Sequence, residues 1–163
     1  MEHPVFTYET LNLSIADLIK EKYPTMNIYD SPVNAGKTLP RWFILYRGNA
    51  KFNHEVDRTG NKELQLDLVY EQDYNLVNLY DDYRTKAGVI EEAIHKELTY
   101  NIRNDKNKII KKIPLDAHNI ETYWDRAGMH CYFSLRLRII DADVYEQIYI
   151  KTIDWIVKKK EHN

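Results

Sequence analysis

The sequence predicts an α+β domain: an antiparallel or mixed sheet with an N-terminal helix and a long central helix packed on one face. Three observations carry this. Two segments alternate apolar and polar residues with the period of a half-buried strand. A third segment, residues 74–98, repeats apolar residues at helical spacing. The order along the chain is helix, strands, long helix, strands and a final element, not strict strand–helix alternation, which favours helices segregated to one side of the sheet.

Residues 7–23 form the first expected helix. Leu11, Ile15, Leu18 and Ile19 make its apolar stripe, Tyr8 and Tyr23 extend it, Thr7 is placed to cap it and Pro24 stops it. Asn27-Ile28-Tyr29 is a short edge strand, and Ser31 to Pro40 is a loop. Trp42 to Tyr46 is aromatic and β-branched, so it reads as a strand buried on both faces. The polar stretch 47–62 reads as a protruding hairpin arm. In Glu63 to Tyr70, Leu64, Leu66, Leu68 and Tyr70 alternate with Glu63, Gln65 and Asp67. The helix over 74–98 carries Leu76, Tyr80, Tyr83, Ala87, Ile90, Ile94 and Leu98 on its stripe, and Gly88 marks a kink or a close approach. Ile109 to Ile113 is a strand ended by Pro114, and 115–128 is a connection containing Trp124. Phe133, Leu135, Leu137 and Ile139 then point inward, with Ser134, Arg136 and Arg138 outward. In the extension from about 141 to 163, Val144, Ile148, Thr152 and Trp155 fit a helix, while the β-branched content of Val144 to Lys159 also fits a strand; helix is favoured at the end.

The chain has 163 residues, which is one domain, and a chain of this size buries roughly 68–70% of its unfolded surface. It is 44% apolar and 29% charged with net charge −2, which excludes a disordered chain and a protein that holds nucleic acid by bulk charge. Five glycines leave little for phosphate-cradling loops, while 13 tyrosines suit surfaces that are apolar in body and polar at the tip. The single Cys131 excludes an intramolecular disulfide and a cysteine-rich zinc site, and implies folding inside a cell. Met1-Glu2-His3-Pro4 has no basic and apolar leader, so no secretory signal is expected, and no stretch is long enough to span a membrane.

The motifs that carry chemistry fail on context. Asn34-Ala35-Gly36-Lys37-Thr38 resembles the end of a phosphate-binding loop, but position 31 is Ser and Leu39-Pro40 follows where a helix is needed. The six histidines form no pair at metal spacing, and His95 has Glu91 and Glu92 one turn away as ordinary surface contacts. Asp81-Asp82 and Glu91-Glu92 diverge by about 100° on a helix, so neither pair converges on one ligand. Asp141 and Asp143 lack a third acid or lysine at motif spacing. His130 and Cys131 are strand neighbours and face opposite sides, so Cys131 reads as a buried thiol rather than a nucleophile. No catalytic, cofactor-binding or metal-ligating residue is expected. Phe52 and Trp124-Asp125-Arg126 are large aromatics and a cation in polar connections, which favours a contact surface. The basic strand face of Arg136 and Arg138 and the terminal Lys158-Lys159-Lys160 read as solvated.

The layout as a whole resembles the phage tail terminator family of long-tailed phages and phage-derived tailocins of Gram-positive bacteria. The features that carry the resemblance begin with the helix from Leu11 to Pro24, then Asn27-Ile28-Tyr29-Asp30 and the Pro40-led strand Trp42-Phe43-Ile44-Leu45. A charged hairpin follows, then Leu64 to Tyr70, the helix over 75–98 and the late strand Met129 to Phe133. It is a resemblance of architecture and hydrophobic pattern over most of the chain. It implies a structural protein that forms a homo-oligomeric ring, typically a hexamer, on the last ring of the tail tube. Such a ring stops polymerisation and joins the tube protein to a neck or head-completion protein, and to the sheath protein where the tail contracts. It implies no enzymatic activity, no cofactor, no membrane and no specific nucleic-acid binding, with room for DNA to pass through the ring. It places the protein in the virion or tailocin particle, assembled in the bacterial cytoplasm. The residues expected at subunit or tube contacts are Lys51, Phe52, His54, Arg58, Tyr123, Trp124, Arg126, Arg136, Arg138 and Trp155, with Tyr145 and Tyr149 as further candidates. The alternatives are a head–tail completion or adaptor protein of the neck, and a small metal-dependent enzyme built on Asp141 and Asp143.

Overall fold

A computed structural model describes residues 6–30, 38–48, 51–54 and 59–140, with backbone alone described at 51–54, 59–61 and 138–140. The fold is α+β with a mixed sheet, as the periodicities predict. The loop at Asn34–Lys37, Arg58, Asp141, Asp143, Tyr145, Tyr149, Trp155 and the expected C-terminal helix lie outside the described residues.

Helix α1 spans Tyr8–Lys22. Thr7 caps it by accepting a hydrogen bond from the Thr10 N–H at 3.1 Å, and the Tyr23 N–H closes the far end on Ile19 O. Its buried stripe is Leu11, Ser14, Ile15, Leu18 and Ile19. Ser14 is tolerated there because its hydroxyl donates to Thr10 O and accepts from the Asn101 N–H.

Strands β1 (Asn27–Tyr29), β2 (Arg41–Tyr46), β3 (Lys51–His54), β4 (Thr59–Glu71), β7 (Asp116–Asp125) and β8 (Gly128–Ile140) make the main sheet. The order is β1-β2-β4-β8-β7, with β3 pairing β4 beside β2. Only β1–β2 is parallel. β5 (Thr99–Arg103) and β6 (Ile109–Pro114) form a separate hairpin. It is held to α1 by Asp17, which accepts hydrogen bonds from Asn101 Nδ2 at 2.8 Å and from the Arg103 guanidinium.

Helix α2 covers Leu79–Glu97, five residues shorter at its start than the spacing predicts. The Asp73 carboxylate accepts from the Asn75 N–H and the Asp73 carbonyl accepts from the Leu76 N–H, so residues 73–76 turn before the helix begins. Leu76 and Tyr80 therefore leave the stripe and stand exposed, and Leu79 takes the buried place beside Tyr83, Ala87, Ile90, Ala93 and Ile94. Gly88 makes no close approach, since an added Cβ would meet nothing within 4 Å.

The stretch expected as a connection, 115–128, is instead mostly strand β7. A bulge hides it from a period-two reading: Asn119 sits at φ 53° and the register shifts between His118 and Glu121. Inward residues are thus Ala117, then Ile120 and Trp124, which join the core, with Thr122 between them donating to the Glu91 carboxylate on α2. Strand β5 went unpredicted because Asn101 and Arg103 are polar; both are half-buried or buried against Asp17.

The core lies between the helices and one sheet face. It joins the α1 and α2 stripes to Trp42, Ile44, Leu64, Leu66, Leu68, Tyr70, Met129, Cys131, Phe133 and Leu135. The Trp42 ring centre lies 4.9 Å from that of Tyr70 with the planes tilted by 39°, and Tyr70 meets Tyr83 edge-on at 5.9 Å. Several tyrosines thus serve the core rather than a surface.

Candidate functional site

The strand alternation that buries Leu64, Leu66 and Leu68 sends their neighbours to the other face of the sheet. The β4–β8–β7 register sets that face out in rows: Val69, His130 and Tyr123; Asp67 and Tyr132; Gln65 and Ser134; Glu63 and Arg136. Tyr123 lies parallel to His130, with 4.9 Å between ring centres and 9° between planes, and its hydroxyl is 2.9 Å from that of Tyr132. The Arg47 guanidinium sits 3.6 Å above the Tyr132 ring. Three side chains from β7 and β8, with Arg47 from just past β2, thus make one stacked shelf, and Tyr123 remains 48% exposed. A shallow cleft of about 280 Å³ adjoins it between Arg47, Gln65, Tyr132 and Ser134.

Asp67 is the buried charge of this face, 6% exposed. Its carboxylate lies 3.0 Å from His130 Nδ1. Burial pushes the Asp67 carboxyl above its usual range, and the hydrogen bond from His130 works against that rise. Burial likewise carries the Tyr132 phenol up to about 12, so it stays protonated and can donate. Cys131 points to the opposite face, fully buried, and burial raises its thiol to about 12. The two neighbours His130 and Cys131 therefore face opposite sides of β8, and the Cys131 thiol is not presented to the His130–Asp67 pair.

Beyond Leu66 the sheet loses β2, then β7 past Asp116↔Arg136, and narrows to a tongue. β4 and β8 stay paired from Tyr70↔Met129 out to Thr59↔Ile140, whereas β2 ends at Tyr46↔Leu66 and β3 takes its place. The tongue runs about 24 Å past the end of β2, at ~3.4 Å per residue.

The expected contact residues fall into three groups. Lys51, Phe52 and His54 lie on β3 opposite Glu63, Lys62 and Gly60, and Arg138 lies on β8 opposite Asn61, all in the tongue. Tyr123 and Arg136 share the stacked face, where Arg136 pairs Glu63 at 2.5 Å across the sheet. Trp124 is half-buried against the core, and Arg126 is exposed in the β7–β8 turn with its guanidinium 5.7 Å from the Tyr74 ring centre. Arg58 and Trp155 lie outside the described residues. Sequence reasoning missed Arg47, Asp67 and Tyr132, which become neighbours of Tyr123 and His130 only once the strand register is known.

The paired acids diverge as helical geometry requires. Asp81 pairs Arg84, while Asp82 takes Lys86 and the Tyr70 hydroxyl. Glu91 serves Thr122 and Glu92 pairs Lys96. Among the described residues, no group of three or more His, Cys, Asp or Glu side chains is placed to hold a metal ion. Likewise, no helix among them is long and apolar enough to cross a membrane. Compared with protein-family models and with curated protein sequences, the chain matches none of them.

Proposed function

We propose that this chain is a structural, non-enzymatic subunit that closes into a homo-oligomeric ring and caps a phage-type tail tube, as tail terminators do. In this reading the ring is a hexamer, and it joins the tube protein to a neck or head-completion protein, with sheath as a further neighbour in a contractile tail. The particle, virion or tailocin, assembles in the bacterial cytoplasm.

The observation that carries the reading is the β3–β4–β8 tongue. Among the described residues, β3 pairs only β4, and β7 leaves β8 at Arg136, so a ribbon that continues about 24 Å past the end of β2 has one bare edge on β3 and another on the last four residues of β8. Such edges are a standing liability in a monomer, and closure into a ring covers them equally on every subunit. The stacked shelf of Tyr123, Tyr132 and Arg47 adds aromatic contact area of the kind that anchors interfaces.

Light scattering and negative-stain imaging of the purified protein test this. The expected result is a closed ring that binds free tail-tube ends and halts their growth. Deleting residues 51–58 should abolish the ring while leaving a cooperative melt. A protein that stays monomeric at high concentration and ignores tube ends refutes the reading. Labelling at the neck, away from the tube end, would instead favour the head-completion alternative.

A further inference from the structure

The longer edge strands of this fold are protected against further pairing. β7 is bulged between His118 and Glu121, with Asn119 at φ 53°, and its Thr122 donates to Glu91 of the α2 helix that packs on it. β6 carries the exposed Lys111 and Lys112, ends at Pro114 and breaks register where Ile102↔Lys111 is followed by Arg103↔Ile109. On β5, the Asn101 N–H is taken by the Ser14 hydroxyl of α1. Bulges, edge lysines, prolines and covering helices are the devices that stop a strand from recruiting another.

The tongue is built the other way. Among the described residues its two bare edges are β3, Lys51–His54, and the end of β8 past Arg136, residues 137–140. Neither contains a proline, and the pairings of both with β4 keep one unbroken register. Each edge is four residues long. They flank one three-stranded ribbon, β3–β4–β8, from opposite sides. Both strands run antiparallel to β4, so β3 and β8 point the same way. The two edges are therefore different strands that match in length and in direction.

We propose that β3 of one copy adds to the 137–140 edge of the next copy as a parallel strand. A rotation that carries one copy to its neighbour within a continuous sheet preserves strand direction, so β3 meets β8 in parallel. A two-fold contact would instead pair β3 with β3 or β8 with β8, antiparallel. A second copy fits these edges better than an unrelated strand, because one kind of contact covers both of them, whereas an unrelated strand on β8 leaves β3 bare. Main-chain hydrogen bonds carry the contact. In a closed ring each copy gives one edge and receives the other, and the tongues join into one sheet with no free edge. This rests on the ring reading above and assigns the strands that would build the ring.

Amide hydrogen exchange read by mass spectrometry tests this on the full-length protein, assembled and then diluted to monomer. Assembly should slow the outward amides of 51–54 and of 137–140 by at least ~10-fold and leave β6 and β7 unchanged. Two variants, Asn53→Cys and Ile139→Cys, then identify the partner strands by cross-linking with a bis-maleimide. The native Cys131 is fully buried and stays out of the reaction. Cross-linked dimers should form in an equimolar mixture and not with either variant alone. If a substitution blocks assembly, the exchange pattern of the parent still decides. Assembly without slowing at both segments overturns the strand pairing and leaves the ring reading intact. So does cross-linking of either variant with itself, which is the result for a two-fold contact. Full protection of both segments in the monomer overturns the pairing too, because the chain then covers its own edges. A parent protein that never self-associates overturns both readings.

Discussion

Raising the pH should destabilise this protein, and Cys131 sets a measurable part of the loss. The thiol is fully buried on the core side of β8, and burial raises it from 9.0 to about 12. The neighbouring Thr122 hydroxyl acts in the opposite sense and is outweighed. A folded value above the unfolded one means the folded state holds the proton more tightly. The stability this represents is complete below pH 9 and is lost as pH rises towards 12. At about pH 10.5 the unfolded thiol is ionised and the folded one is not, which amounts to ~2 kcal/mol. Urea melts under reducing conditions, compared between the parent and Cys131→Ala, isolate that share, because buried tyrosines titrate alike in both. Near neutrality the variant should be less stable by ~1–2 kcal/mol from the small cavity. By about pH 10.5 that gap should close, since the variant has no thiol to ionise. A gap that is the same at both pH values refutes the argument.

Gly88→Ala should stabilise α2 by ~0.5–1 kcal/mol, because the added methyl meets nothing within 4 Å and helix propensity rises; an unchanged or lower melting temperature counts against this. Asp17→Ala should cost about 2 kcal/mol by leaving the half-buried Arg103 without its carboxylate, and amide exchange should quicken first in the β5–β6 hairpin; uniform quickening would contradict the local assignment. His130→Ala should cost ~1–3 kcal/mol near neutrality and less in mild acid. The raised Asp67 carboxyl adds stability below the ordinary carboxylate range and loses it as pH rises, and removing His130 takes away the hydrogen bond that offsets this. Equal losses in urea melts at both pH values would rule that account out.

The strands that were legible share one property. β4 and β8 each bury one face continuously, so Leu64-Leu66-Leu68-Tyr70 and Phe133-Leu135-Leu137 repeat at period two in a local window. α1 is legible for the same reason, and its end signals, Thr7 and Pro24, sit where helix termini require them. The bulge at Asn119 breaks the period of β7, and Leu76, inside the Asp73 turn, mimics a stripe residue of α2, so neither β7 nor the start of α2 is legible locally. β5 was lost because Asn101 is buried on the strength of a partner 84 residues away.

The candidate surfaces were less legible than the core. Tyr123 could be singled out as a large aromatic, but nothing local says that it stacks on His130, or that Arg47 covers Tyr132. The sequence by itself determined the class of fold and most of the core, because hydrophobic burial acts through periodicities that a short window contains. Only the tertiary structure decided that Asp67 is a buried partner of His130, 63 residues away, and that Arg47, one residue past Tyr46↔Leu66, covers the Tyr132 ring. Both follow from strand register, which is set by pairing between distant segments and leaves no trace in either segment alone.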